Sequence, residues 1–326
     1  MAWVKGSQFT QHNGIYGTQG TAAVTNSPGA RQQHTVFPPN ANLRDLWMFG
    51  GTGFAATGFT ATGLNDVWLL DLPSVPTVTT LAATDVSDTT VTLNASANPN
   101  GGLSKVRFQI STVSNLNGAT VIEGASIGAG QAAVPVNLAI TGLQPATIYY
   151  YAAEAISNPG NALGSILNFT TLSTIDAWRL ANLGTTSNTG NAADLSDFDF
   201  DGVLNLFEFA FGTNPNNNAS GPGVLVTTGG LAGGALVSTG QPITMFGPAP
   251  NGVDYRAVFI RRKDYVAAGL TYIPQFSANL TIYQNSMAIP TVLADDGTFQ
   301  AVSVPYPPFI GGKKVRFFRM SISIAP

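Results

Sequence analysis

The chain has 326 residues, 44% hydrophobic and only 10% charged, with a formal net charge of -3 and no cysteine. Such a length suits about two to four domains, and the charge, against about 25% in an average soluble domain, is replaced by the Gly, Ser, Thr, Asn and Pro of turn-rich β proteins. Slight acidity argues against a nucleic-acid partner, and the missing thiols exclude disulfides, thiolate metal sites and a cysteine nucleophile. No run of about 18 apolar residues exists, so no membrane span is expected. The longest basic run, Arg261-Arg262-Lys263, meets Asp264 at once and reads as a solvated strand end.

Residues 1–72 are rich in Gly and aromatics. Met1-Ala2-Trp3-Val4-Lys5-Gly6 reads as a strand start, not as a signal peptide. Asn42–Gly51 and Leu64–Asp71 read as short aromatic strands, the first ended by Gly50-Gly51. With the turn at Pro28-Gly29-Ala30-Arg31, these signals resemble one kelch blade in order and spacing. The resemblance implies a single partial blade, because no second copy follows, and a lone blade cannot bury both faces of its sheet. The first segment therefore reads as truncated, with any export signal outside this sequence.

Residues 73–172 open on the strand-breaking Pro73-Ser74-Val75-Pro76. Thr90–Ala95, Lys105–Ile110 and Val134–Leu138 alternate with a period of two. A corner over Gly142-Leu143-Gln144-Pro145-Ala146-Thr147 leads into Ile148-Tyr149-Tyr150-Tyr151, and Leu167–Thr171 closes the segment. The whole resembles a fibronectin type III domain, which implies an antiparallel sandwich of about 100 residues. Tyr149 and Tyr151 share one face and Tyr150 takes the other. One face is core; the other suits a cross-strand pair or stacking on a sugar.

In residues 173–221, Ser173-Thr174-Ile175-Asp176 fits a capping box for a short helix ending at Gly184. The sharpest chemistry follows. Asp197-Phe198-Asp199-Phe200-Asp201-Gly202-Val203-Leu204-Asn205-Leu206-Phe207-Glu208 satisfies the calcium-loop pattern D-x-D-x-D-G-x5-E in full. Calcium takes roughly six to eight oxygens. Asp197, Asp199 and Asp201 converge as alternating carboxylates, and Gly202 permits the turn. Val203 offers its carbonyl, Asn205 a water-mediated contact and Glu208 both carboxylate oxygens. A solvated acidic turn before a helix is the bland alternative. Asp194 reads equally as an extra ligand or a neighbour. Leu204, Phe207 and Phe211 share a helical face, and Gly212 with Asn214-Pro215 ends the helix. Gly190–Ser196 is too short and broken to be an entering helix. One loop with one helix resembles the calcium loops of dockerins and thrombospondin type 3 repeats, which implies a structural clip with Phe198 and Phe200 free to anchor it on a neighbouring domain.

Residues 222–326 return to strands: Ala257–Arg261, Leu270–Pro274, Phe299–Val304 and Val315–Met320, with a turn at Asp295–Thr298. A second small β-sandwich is expected. The fold class is thus mainly β: tandem β-sandwich domains, a partial kelch-like blade and a short helical calcium-binding linker.

Enzymatic residues are sparse. Only His12 and His34 are available for a copper site or a Ser-His-Asp triad. No G-x-S-x-G elbow occurs, and the acids outside the loop (Asp45, Asp66, Glu123, Glu154) do not pair by spacing. A non-enzymatic, extracellular structural or adhesive protein is expected, with calcium as its ligand and polysaccharides or cell-surface proteins as partners. The alternatives are a carbohydrate-binding accessory region of a larger secreted enzyme and a fibre subunit that assembles through strand edges.

Overall fold

The structure, a computed structural model, describes residues 12–21, 25–37, 45–57, 60–71, 73–218, 227–250 and 252–325. The strand expected at Met1–Gly6, the first three residues of Asn42–Gly51 and the boundary expected at 221–222 lie outside the described residues. The protein is mainly β, with several antiparallel sheets and two α-helices among the described residues. It divides into two compact units, one of residues 1–82, 93–138 and 150–167, the other of 83–92, 139–149 and 168–326.

In the first unit, β1 (Arg31–Gln32), β2 (Thr35–Phe37), β3 (Asp45–Gly53) and β4 (Thr62–Asp71) form a sheet in which β3 pairs with the other three. Gly50 and Gly51, at φ 58° and 98°, occupy the point where β3 slips register against β4, a backbone that glycine adopts without strain. The Arg31 guanidinium makes two bonds to the Asp66 carboxylate, of 2.6 and 2.8 Å. Tyr16 Oη and Trp68 Nε1 also donate to Asp66, at 2.7 and 2.6 Å. Burial works against the charge of Asp66, but these donors outweigh it and hold its carboxyl well below the usual range. The other face of the sheet leaves Phe37, Trp47, Phe49, Val67 and Leu69 exposed.

The next strands are β5 (Thr77–Thr84), β6 (Thr90–Asn98), β7 (Ser104–Ser111), β8 (Thr120–Gly128), β9 (Val134–Thr141), β10 (Ile148–Ser157), β11 (Gly160–Leu163) and β12 (Leu167–Thr170). They form two sheets, ordered β5-β6-β9 and β11-β10-β7-β8, with β12 also on β10. This is a fibronectin type III-like sandwich. Strict alternation buries Leu93, Ala95 and Ala97 from β6 and Val106, Phe108 and Ile110 from β7. From β10, Tyr151 is fully buried and its hydroxyl donates to Leu81 O at 2.7 Å, while Ala153 N–H donates to Thr80 Oγ1. Lys105 and Arg107 flank a bulge against β8, where a Cβ on Gly124 would lie 2.4 Å from Val106 O.

In the second unit, the corner before β10 is closed by Leu143 N–H to Thr89 O at 3.0 Å and by Gln144 N–H to Tyr149 Oη at 2.9 Å, the bond that defines a tyrosine corner. Helix α1 (Thr174–Leu183) is capped as its sequence requires. Ser173 Oγ accepts from Asp176 N–H, and Gly184 ends the helix at φ 72°. Helix α2 (Asn205–Phe211) follows the acidic loop and ends at Gly212, φ 74°.

The strands that complete this unit are β13 (Ile243–Ala249), β14 (Gly252–Arg262), β15 (Leu270–Ser277), β16 (Gln284–Asn285), β17 (Thr291–Asp295), β18 (Phe299–Pro305), β19 (Phe309–Ile310), β20 (Lys313–Lys314) and β21 (Phe317–Ile324). They form the sheets β13-β14-β18-β17 and β16-β15-β21, with β19 and β20 as a small hairpin. Ala257, Val258, Phe259 and Ile260 of β14 are buried in succession, because both faces of this strand are covered. Ala257 and Phe259 pack with Phe276, Val302, Val304 and Val315. Val258 and Ile260 pack with Phe211 of α2. Phe209 lies among Ile175, Leu206, Ala210, Ala268 and Leu270. Tyr272 Oη donates to Ala210 O at 2.6 Å and accepts from Arg262 N–H. Helix α2 is therefore part of the C-terminal core. Phe211→Ala should lower the unfolding free energy by about 3–5 kcal/mol, read by denaturant titration. A loss under roughly 1 kcal/mol would contradict this placement.

Candidate metal site

The acidic loop folds through its own side chains. Asp197 Oδ1 accepts from Phe200 N–H and Asp197 Oδ2 from Gly202 N–H, both at 2.8 Å. Asp199 Oδ1 accepts from Asp201 N–H at 3.2 Å and Asp201 Oδ1 from Val203 N–H at 2.8 Å. These local bonds are the alternative to helix that Asp offers. They turn the chain through Phe200 at φ 65° and Gly202 at φ 91°. As a result, Asp197, Asp199 and Asp201 place carboxylate oxygens within 4.8 Å of one another.

Glu208 comes from α2 and is fully buried, with Thr213 Oγ1 near its Oε1 at 3.5 Å. Burial, and then the charges of Asp199, Asp201 and Asp197, push its carboxyl up to about 8. Three buried oxygens at the site have no hydrogen-bond partner: Asp199 Oδ2, Asn205 Oδ1 and Glu208 Oε2. Native buried polar atoms are rarely left so. Asn205 is turned by its amide, which donates to Asn191 O and Ala193 O, both at 2.8 Å. Val203 is buried at the loop's exit. The three aspartates thus come together as their spacing requires, with Glu208 behind them and Asn205 and Val203 at the helix entrance.

Asp194 stands as a neighbour of the loop, one of the two roles open to it in the sequence, and Phe200 does not take the anchoring role open to it. Asp194 carries an ion pair to Arg179 and accepts from Asn188 Nδ2 at 2.9 Å. Phe200 is 82% exposed and anchors the loop to nothing among the described residues. Before the loop stands only a short 3-10 turn, Gly190–Ala192. Arg179, 2% exposed, also pairs with Asp176 at 2.6 Å. In the sequence its only signal is a cation three positions after the capping-box acid.

Fold and site define a class: a mainly β chain of sandwich-type domains carrying one acidic loop on a short helix. No family model matches the chain, and no curated protein matches it. Among solved structures it is similar to the sensor domain of an anti-sigma factor of Pseudobacteroides cellulosolvens, at 17% identity and TM-score 0.23, over 29% of this chain and 87% of that one. It is also similar to a human fibronectin type III domain, at 19% identity and TM-score 0.22, over 29% of this chain and 72% of that one. A third is the fibronectin type III domain of human fibronectin type III domain containing protein 3, at 18% identity and TM-score 0.22, over 31% of this chain and 86% of that one.

The buried Glu208 sets a pH dependence for the chelator-treated protein. Its carboxyl lies at about 8 when folded against a usual value of 4.5. The folded state therefore holds the proton more tightly. The associated stability is complete below the unfolded value and is lost as pH rises toward the folded one. Glu208→Gln, which keeps a neutral side chain, should flatten this decline. Melting temperatures measured between about pH 5 and 8 test it; parallel curves for the two proteins would refute it.

Proposed function

We propose that the chain is an extracellular structural or adhesive protein, not an enzyme, in which one calcium ion at residues 197–208 clips the helical segment to its neighbours. The single observation that carries this reading is the trio of unpartnered buried oxygens, on Asp199, Asn205 and Glu208, beside three converging aspartates. The donor set is all oxygen, which suits a hard cation and disfavours zinc or copper, whose preferred ligands are nitrogen and sulfur. Asp197, Asp199, Asp201 and Glu208 would hold the ion with their carboxylates, Val203 with its carbonyl and Asn205 through water. Bound calcium supplies the positive charge that this group lacks.

A dockerin- or thrombospondin type 3-like clip fits the single exiting helix, and a kelch-like blade fits the sheet built on Gly50-Gly51, Arg31, Asp66 and Trp68. A location outside the cell fits a weak site, because calcium there is millimolar and extracellular modules bind it at about 10⁻⁴–10⁻³ M. The modules would then space or attach other molecules.

Calorimetric titration of calcium into chelator-treated protein tests the proposal. One site per chain is expected, absent in Glu208→Ala and in Asp199→Ala. At roughly 10 mM calcium the linkage stabilisation should be about 1.4–2.7 kcal/mol, seen as a rise in melting temperature that both variants lose. No heat and no thermal shift at that concentration would sink the calcium assignment.

A further inference from the structure

The loop lacks the entering helix that would hold the N-terminal arm of a calcium loop, yet that arm is tied down. Three backbone and side-chain links join it to the start of α2. Asn205 N–H donates to Ser196 O at 2.8 Å and Leu206 N–H to Asp194 O at 3.1 Å. The Asn205 amide spans Asn191 O and Ala193 O. These links fix the segment that precedes the loop against the loop's ninth and tenth positions. Residue 194 is the point where they meet α1, through the Asp194 carboxylate and Arg179.

Resting on the calcium reading above, we infer that Arg179 is the positioning residue of this site: its guanidinium clamps the arm that precedes Asp197 and so takes the place of the missing helix. The guanidinium is held on both sides. One amino group pairs with Asp176, which is itself fixed by Ser173, whose hydroxyl donates to Asp176 Oδ2 at 2.6 Å. The other pairs with Asp194, whose second oxygen is taken by Asn188 and whose N–H returns to Asn188 Oδ1 at 2.8 Å. Both oxygens of Asp194 are thereby engaged, one by Arg179 and one by Asn188. The base of the clamp is rigid, because Trp178 of α1 packs on Phe209 of α2 with ring centroids 5.6 Å apart. Arginine suits the task, since a planar fork bridges two carboxylates in fixed geometry.

A site that is pre-ordered binds more tightly than one ordered only part of the time, by the ordered fraction. Removing the clamp should therefore cost affinity without removing a ligand. Calcium is titrated calorimetrically into the chelator-treated full chain, as native protein, Arg179→Met and Arg179→Lys. The expected result is one site in native protein, affinity at least about tenfold weaker in Arg179→Met, and only part of that loss recovered by Arg179→Lys, whose ammonium keeps the charge but not the fork. In parallel, amide hydrogen exchange is followed on calcium-free native protein, where the amides of Asn205 and Leu206 should exchange slowly. The same amides are followed in Arg179→Lys, where faster exchange than in native protein is expected; this comparison decides the matter if Arg179→Met does not fold, and equal exchange would overturn the inference. Native-like affinity in Arg179→Met, or unprotected amides at 205 and 206 in calcium-free native protein, would overturn the inference. A native chain that takes up no calcium but protects these amides would instead refute the calcium reading and leave the clamp as a purely structural device.

Discussion

Burying a carboxyl group beside other acids is costly unless it takes a proton or meets a cation, and Glu208 is placed that way beside three aspartates, which together with burial push its carboxyl up. Exposure to water is not an easy escape from this arrangement. The helix that carries Glu208 also carries Phe209 and Phe211, and each of these sits in a separate part of the C-terminal core. Swinging Glu208 out to water would drag both rings with it. Charge and packing are coupled through one short helix, so whatever neutralises the loop also settles the surrounding core.

The other buried charges are treated differently. Asp66 meets Arg31, Tyr16 and Trp68, and Arg179 meets Asp176 and Asp194. Glu154, on the sandwich, receives bonds from Arg107, Gln109 and Asn161. Among the described residues, these buried and half-buried charges each meet named partners, as the desolvation penalty demands. Unpartnered buried atoms also occur singly on Thr174, Arg179 and Gln241, but the oxygens of Asp199, Asn205 and Glu208 belong to one twelve-residue segment, and they give the loop its functional reading.

Much of the fold was legible in the sequence where one physical signal dominated. Strands with strict alternation, such as β6 and β7, were readable because one face is core and the other is wet. The capping box at Ser173 and the stops at Gly184 and Gly212 were readable because helix ends need local partners. Strands β5, β8, β13 and β17 carry no comparable signal. Edge strands such as β8 and β13 have little or no fully buried face, and so no periodic signal to find. The last strand begins at Phe317, two residues later than the apolar run from Val315, because Val315 turns into the core while Arg316 N–H bonds to Ser277 O.

The sequence by itself determined the register of the acidic loop, since twelve consecutive residues carry every donor at its required spacing, and local Asp-to-backbone bonds suffice to bring three carboxylates together. It also determined the mainly β class, through alternation and turn residues that act over short range. Only the tertiary structure decided that α2 is core instead of a free-standing connector, that Asp194 belongs to Arg179, and that Phe200 faces solvent. Those outcomes depend on contacts between residues far apart in the chain, such as Phe211 with Val258 and Tyr272 with Ala210. Hydrophobic burial carries no sequence-local record of which apolar surfaces will meet.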